Sequence, residues 1–256
     1  MSRTIHNDKE EIKMIIKDKV ILITGACGGI GKCLVDEFLA RGAAKIYAAD
    51  MSIDNLNFVM AECGDKVFPI KLDVTSREDI AVFSAFCSDV DILVNNAGVE
   101  KASKVFEERA VVLGKLEMSV NCLGLHALTA AFWGLLKAKE SAVINMLSIA
   151  SFVHIPSLAT YCASKVAAHS ITQAFRHASA NTNVKVVGVY PGYVDTSMTK
   201  NIDAVKVTPQ YLAKNICDDF ESGILDIFPD EMSKELCSGM YHNNLTLDCK
   251  LKVANE

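Results

Sequence analysis

The chain has 256 residues, of which 50% are hydrophobic, 22% charged and 7% aromatic, enough for one sizeable core filled mainly by Val, Ile, Leu and Ala. A net charge of −5 argues against a nucleic-acid partner, because such binders carry a basic stripe. No apolar run of about 18 residues is present. Met1 to Lys17 is charged rather than apolar, so the sequence predicts neither a membrane span nor a secretory leader, and a cytoplasmic location.

In chain order, residues 1–17 read as a flexible N-terminal arm and residues 18–256 as one domain. Lys19 to Ile23 is a first strand, followed by a helix from Gly29 to Arg41 that Gly42 closes. Lys45–Ala49 is a second strand. Val67–Leu72 is a third, and its Pro69 suggests an edge or an end. Asp91–Val94, Ala142–Leu147, Lys185–Tyr190 and a short Ile224–Phe228 follow. Unbroken apolar strands separated by helices predict an α/β fold, with a parallel sheet of about seven strands covered on both faces. Beyond Asp230 the chain reads as a tail. Two helices, Lys115–Ala138 and Thr160–Ala180, are apolar or Ala-rich beyond what one buried face needs, which predicts pairing with a second copy.

The nine cysteines (Cys27, Cys33, Cys63, Cys87, Cys122, Cys162, Cys217, Cys237 and Cys249) are odd in number and form no Cys-x-x-Cys. They read as reduced, mostly buried thiols, and no Cys/His cluster has the spacing of a metal site. Asn244-Leu245-Thr246 matches a glycosylation acceptor, which chance explains in a chain without a leader.

Between the first strand and its helix lies Thr24-Gly25-Ala26-Cys27-Gly28-Gly29-Ile30-Gly31. Glycines allow a tight turn and a close backbone approach to a pyrophosphate, and the helix N-terminus adds unpaired N–H groups and a positive dipole end. Asp50 ends the second strand, where a carboxylate accepts hydrogen bonds from ribose hydroxyls and repels the extra phosphate of NADP. The turn also lacks a basic side chain, so the predicted cofactor is NAD.

Tyr161 and Lys165 stand one helical turn apart, on one face. A phenol with a free pKa of about 10 is a poor base at neutral pH, and a neighbouring ammonium favours the phenolate. Ser148, at the end of the fifth strand, offers a hydroxyl to polarise a carbonyl.

Together these motifs, in this order, resemble the short-chain dehydrogenase/reductase family over roughly Lys19 to Phe228. Thr24-Gly25-x-x-x-Gly29-Ile30-Gly31 is similar to its glycine turn, Asp73-Val74 to its adenine-contacting pair, and Asn95-Asn96-Ala97-Gly98 to its fourth-strand element. Asn121, Ser148, Tyr161 and Lys165 resemble its catalytic tetrad, and Pro191-Gly192 with Thr196 its element beside the nicotinamide. The resemblance implies a single-domain, Rossmann-like, doubly wound fold. It also implies an oxidoreductase passing hydride between NAD(H) and a secondary alcohol or ketone. In that scheme Tyr161 is general acid or base, Lys165 lowers its pKa and holds the nicotinamide ribose, Ser148 holds the substrate oxygen, and Asn121 anchors a relay water. No metal is needed. Bland roles stay open: Ser148 suits a strand-end cap, Asn121 a backbone contact within its helix, Asp73 a cap before Thr75-Ser76, and Ser197 or Thr199 can stand in for Thr196.

The loop after Thr196 reaches Thr208-Pro209 quickly, so the expected lid is short and the pocket open or small. Pocket candidates are Val99, Ala150, Phe152, His154, Tyr193 and Met198, chosen for nearness to the motifs; their apolar balance points to a small hydrophobic alcohol or ketone. The short seventh strand and the Asp230–Ser233 tail depart from the family's tetramers, which favours a homodimer and leaves a homotetramer open. Two other functions compete: a catalytically silent NAD-binding redox sensor or scaffold, and an NADPH-dependent carbonyl or 3-oxoacyl reductase.

Overall fold

Strands β1 (Val20–Thr24), β2 (Lys45–Asp50), β3 (Val67–Lys71), β4 (Ile92–Asn95), β5 (Ser141–Met146), β6 (Val184–Val189) and β7 (Asp226–Ile227) form one sheet in the order β3-β2-β1-β4-β5-β6-β7. Every pairing is parallel. The computed structural model describes residues 14–60, 63–101 and 104–242. The helices are α1 (Gly29–Ala40), α2 (Ile53–Met60), α3 (Arg77–Phe86), α4 (Ala110–Met118), α5 (Leu125–Leu136), α6 (Ala159–Ala178), α7 (Pro209–Glu221) and α8 (Glu231–His242).

The apolar strands are explained by burial on both faces. Ile21 and Ile23 of β1 pack with Leu34 and Phe38 of α1 and Leu212, Ile216 and Phe220 of α7. Leu22, between them in sequence, faces the opposite layer, with Leu128 and Phe132 of α5 and Ile80 of α3. Pro69 sits in β3, an edge strand, where its missing N–H leaves no gap in the ladder. Arg41 follows α1 and ties it to α7 through Asp218 and Glu221, both at 2.6 Å.

The structure alters four expectations. The predicted arm is fixed from Met14: Met14 and Ile16 are buried in the core while Ile15 is exposed, a period-two pattern that the charged residues before it obscure. Residues 1–13 lie outside the described residues, as do Asn244 and Cys249. The tail after Asp230 begins with α8, and Asp230 and Ser233 are buried. The seventh strand shrinks to two residues, closed in between the turn at Gly223 (φ +81°) and Pro229. The helix expected from Lys115 starts earlier, because α4, a π-helical turn at Ser119–Gly124 and α5 run on continuously over Ala110–Leu136. This helix is long and apolar enough to cross a bilayer, yet Leu128, Phe132 and Leu136 bury against the sheet. The described cysteines are all free thiols.

Candidate active site

Strand order reverses at β1, whose neighbours β2 and β4 lead away in opposite directions, and a crevice opens beyond the carboxyl ends there. Thr24, predicted to touch the cofactor, is buried beneath the crevice and does not line its cavity. The Thr24 hydroxyl accepts hydrogen bonds from the N–H groups of Asn96 (3.1 Å) and Ala97 (3.0 Å), and the Asn96 amide donates back to the carbonyls of Thr24 (2.9 Å) and Gly25 (3.0 Å). The loop after β4 is thereby clamped to the glycine turn. Gly25 has φ +65°, the left-handed region that disfavours a side chain. Gly31 is constrained by contact: a Cβ there would lie 2.1 Å from the Gly25 carbonyl oxygen and 2.9 Å from Asn96 Nδ2. Gly31→Ala is expected to cost about 3 kcal/mol, and so to lower the melting temperature by roughly 6–12 °C in a thermal melt.

The crevice holds a cavity of about 370 Å3, one end formed by Gly25, Gly28, Gly29, Ile30, Gly31 and Asp50. Gly28 caps α1 in extended conformation without a side-chain hydrogen bond, and no acidic residue sits in the first turn. The positive helix end is therefore offered to an anion. Asp50 is oriented by the N–H groups of Cys27 (3.1 Å) and Ser52 (3.4 Å). Burial, and after it the Asp50 carboxylate, pushes the Cys27 thiol up to about 12, so Cys27 stays neutral beside the turn. Glycine backbone, helix end and carboxylate fit a dinucleotide.

At the other end stand Ser148, Tyr161 and Lys165. β5 delivers Ser148, and α6 presents Tyr161 and Lys165 from consecutive turns. The Ser148 hydroxyl accepts from the Ala150 N–H at 3.1 Å, so it does cap the short turn after β5 while also reaching Tyr161. The buried Lys165 ammonium donates to the Met146 carbonyl at 2.8 Å and lies 5.7 Å from the Tyr161 ring centroid. Burial pushes it down to about 8. Sequence reasoning expected Lys165 to lower the phenol pKa. Here burial raises it, the hydrogen bond with Ser148 opposes that rise, and the Glu100, Cys162 and Glu117 charges add to it. Loss of hydration dominates, while the Lys165 ammonium is itself buried and turned onto the Met146 carbonyl.

Asn121 sits in the π-helical turn, a distortion that often marks functional positions. Its Oδ1 accepts the Val99 N–H (2.8 Å), and its Nδ2 donates to the Val99 carbonyl (2.8 Å) and to Ser164 Oγ (2.9 Å). With both amide protons engaged, Asn121 fixes the loop after β4 to α6, and it does not line the cavity.

Val74, Asn96, Ala97, Gly98, Val99, Pro191, Gly192, Tyr193, Thr196 and Met198 reach the cavity wall, with Ser197 and Thr199 beside them. Asp73 does not; its Oδ1 accepts from Thr75 N–H (2.8 Å) and Oγ1–H (2.7 Å), the capping role. Three pocket candidates lie elsewhere. Phe152 packs on His169, Tyr190 and Phe228. Ala150 is buried with Cys162, and His154 is exposed. The backbone after Ser148 turns through Ile149–Ser151, which carries these residues away from the cleft. Sequence reasoning missed Ile155, Leu158, Ile202 and Glu100. Glu100 was findable, as a carboxylate two residues past Gly98. The lid is short as expected: Val194 bridges Val207, and α7 begins at Pro209, capped by Thr208.

A family model described as short chain dehydrogenase matches residues 19–206. An uncharacterised oxidoreductase of Staphylococcus epidermidis is 34% identical over 194 residues, 73% of this chain and 83% of that protein. One from Staphylococcus aureus is 31% identical over 211 residues, 79% and 90% respectively. Among solved structures, a short chain dehydrogenase from Burkholderia cenocepacia in complex with NADP matches with a TM-score of 0.85 and 32% identity, covering 90% of this chain and 96% of that one. One from Streptomyces avermitilis, at 23% identity and a TM-score of 0.76 over 88% of this chain and 93% of that one, shares the fold.

Proposed function

Since the chain belongs to the short-chain dehydrogenase/reductase family of oxidoreductases, we propose that it interconverts a secondary alcohol and a ketone, with NAD(H) as the partner and Tyr161 as the proton-transfer residue. One observation carries this reading: Ser148, Tyr161 and Lys165 share the wall of a single cavity with the glycine turn and Asp50. A bound nicotinamide dinucleotide supplies or accepts the hydride. Gly25 to Gly31 would hold its pyrophosphate, and Asp50 its adenosine ribose.

Tyr161, a phenol protonated at neutral pH and held more firmly so by burial, gives its proton to the oxygen of a ketone. Ser148 donates to that oxygen and, by its hydrogen bond to the phenol, eases formation of the phenolate. Lys165, with its pKa brought to about 8, stands ready to restore the proton. In alcohol oxidation the same groups run in reverse. Asn121 positions the loop after β4 throughout.

The preference for NAD rests on Asp50, since the Burkholderia relative was solved with NADP. A 2′-phosphate would meet a carboxylate already fixed by two backbone N–H groups, a like-charge contact. Fluorescence titration is expected to show NADH binding at least about tenfold tighter than NADPH, and Asp50→Ser to remove most of that difference. Tighter NADPH binding by the parent chain would support the NADPH-dependent reductase instead. A screen of secondary alcohols with each cofactor, read by absorbance of the reduced nicotinamide, tests the reaction itself.

Exposed Val111, Val112, Leu116 and Leu123 on the long helix, with Val166 on α6, support a homodimer through these helices. The site's position in a single chain leaves both active sites of such a dimer complete.

A further inference from the structure

Resting on the oxidoreductase reading above, we propose that Glu100, backed by Glu117, is the specificity-determining residue of the substrate pocket, selecting alcohols and ketones that carry a hydrogen-bond donor, a hydroxyl or an ammonium, beside the reacting carbon. Two carboxylates lie on the cavity wall. Asp50, at the glycine-turn end, is engaged by backbone N–H groups. Glu100 follows Gly98 and Val99 in the loop after β4 and lines the same cavity as Tyr161.

Glu100 Oε1 is buried without a hydrogen-bond partner among the described residues, and so is Oε2 of Glu117, a side chain with 0% exposure. The other Glu117 oxygen accepts the Lys101 N–H at 2.7 Å, which fixes the carboxylate behind the loop that carries Glu100. No cation pairs with either carboxylate among the described residues; Lys165 is committed to Met146, and the Lys101 side chain is exposed.

Burial, and after it the charge of Glu117, raises the pKa of the Glu100 carboxyl. Glu100 thus brings a carboxylate acceptor to the cavity wall. The surrounding wall is apolar, formed by Val99, Ile155, Leu158, Met198 and Ile202. A substrate's donor group would therefore find its acceptor at Glu100. A substrate that closed over Glu100 without a donor would strip water from its carboxylate and leave it unpaired, which is costly, so the pocket discriminates against analogues lacking the donor. This narrows the small hydrophobic substrate expected from the sequence to a bifunctional one.

The test compares 1-amino-2-propanol, 1,2-propanediol and 2-propanol in the parent chain, Glu100→Gln and Glu100→Leu. Two quantities are read: kcat/KM, and calorimetric binding to NAD-loaded Tyr161→Phe carrying the same Glu100 changes. The parent is expected to favour one or both donor-bearing alcohols over 2-propanol by at least about tenfold in both readouts. Glu100→Leu should reduce that ratio to about twofold or less. Loss of the amino alcohol's advantage alone in Glu100→Gln marks charge as the signal; retention of the diol's advantage marks hydrogen-bond acceptance. A parent ratio near one, or a ratio that Glu100→Leu leaves intact, overturns the proposal. If none of the three is oxidised with NAD or NADP, binding decides. Donor-dependent binding that Glu100→Leu abolishes sustains the recognition role and counts against the oxidoreductase reading; its absence overturns the recognition role.

Discussion

Replacing Tyr161 by Phe is expected to lower kcat by about 10²–10⁴-fold while leaving the affinity for NADH within about twofold. The change removes one oxygen from a cavity wall whose cofactor end is built by other residues, namely the glycine turn and Asp50. A general acid held by Ser148 is lost, and the neighbouring Lys165 does not replace it, because its ammonium points to the Met146 carbonyl. Stopped-flow measurement of hydride transfer together with an NADH titration separates the two effects. Turnover that survives in Tyr161→Phe sinks the proposed chemistry. Intact NADH binding by a parent chain that turns over no substrate would instead support the silent redox sensor.

The second large effect has two signs. Lys165→Met is expected to abolish most turnover, by about 10²-fold or more, and at the same time to make the fold more stable. Lys165 is 5% exposed and its pKa is brought from 10.5 to about 8 by burial. Below pH 8 the lysine is charged in both folded and unfolded chains, so the full penalty, on the order of 3 kcal/mol, acts at pH 7. It fades as pH rises from 8 to 10.5, because the folded chain releases its proton first. Methionine escapes this penalty but leaves the Met146 carbonyl unpaired, which costs about 1–2 kcal/mol. The net gain of about 1–2 kcal/mol corresponds to a rise of roughly 2–8 °C in melting temperature at pH 7, shrinking toward pH 10.5. A melting temperature that falls equally at both pH values would show that the lysine contributes through packing instead.

Fold and site were legible in the sequence to different depths. The sheet could be read because a strand buried on both faces has no polar alternation to blur it, as Ile21-Leu22-Ile23 shows. The glycine turn could be read because Gly25 and Gly31 answer to backbone geometry, which few residues satisfy. The Tyr161 and Lys165 pairing needed only helical spacing. Pocket walls were harder. Nearness in sequence placed Phe152 in the pocket, while the turn after Ser148 sends it into an aromatic cluster with Tyr190 and Phe228. Ile202 reaches the cavity from the lid, a tertiary contact that no local pattern encodes. The direction of the Tyr161 shift depended on desolvation, which is a property of the assembled cleft.

Asp230 carries a consequence for the end of the chain. One of its carboxylate oxygens accepts the Gly192 N–H at 2.8 Å and the other the Ser233 N–H at 2.9 Å, joining the start of α8 to the cavity wall. Sequence that reads as a tail is therefore a tether on the cavity wall at Gly192. Trimming back into α8, or pulling on it through a fused tag, is expected to loosen the cavity wall at Gly192 from outside the cavity.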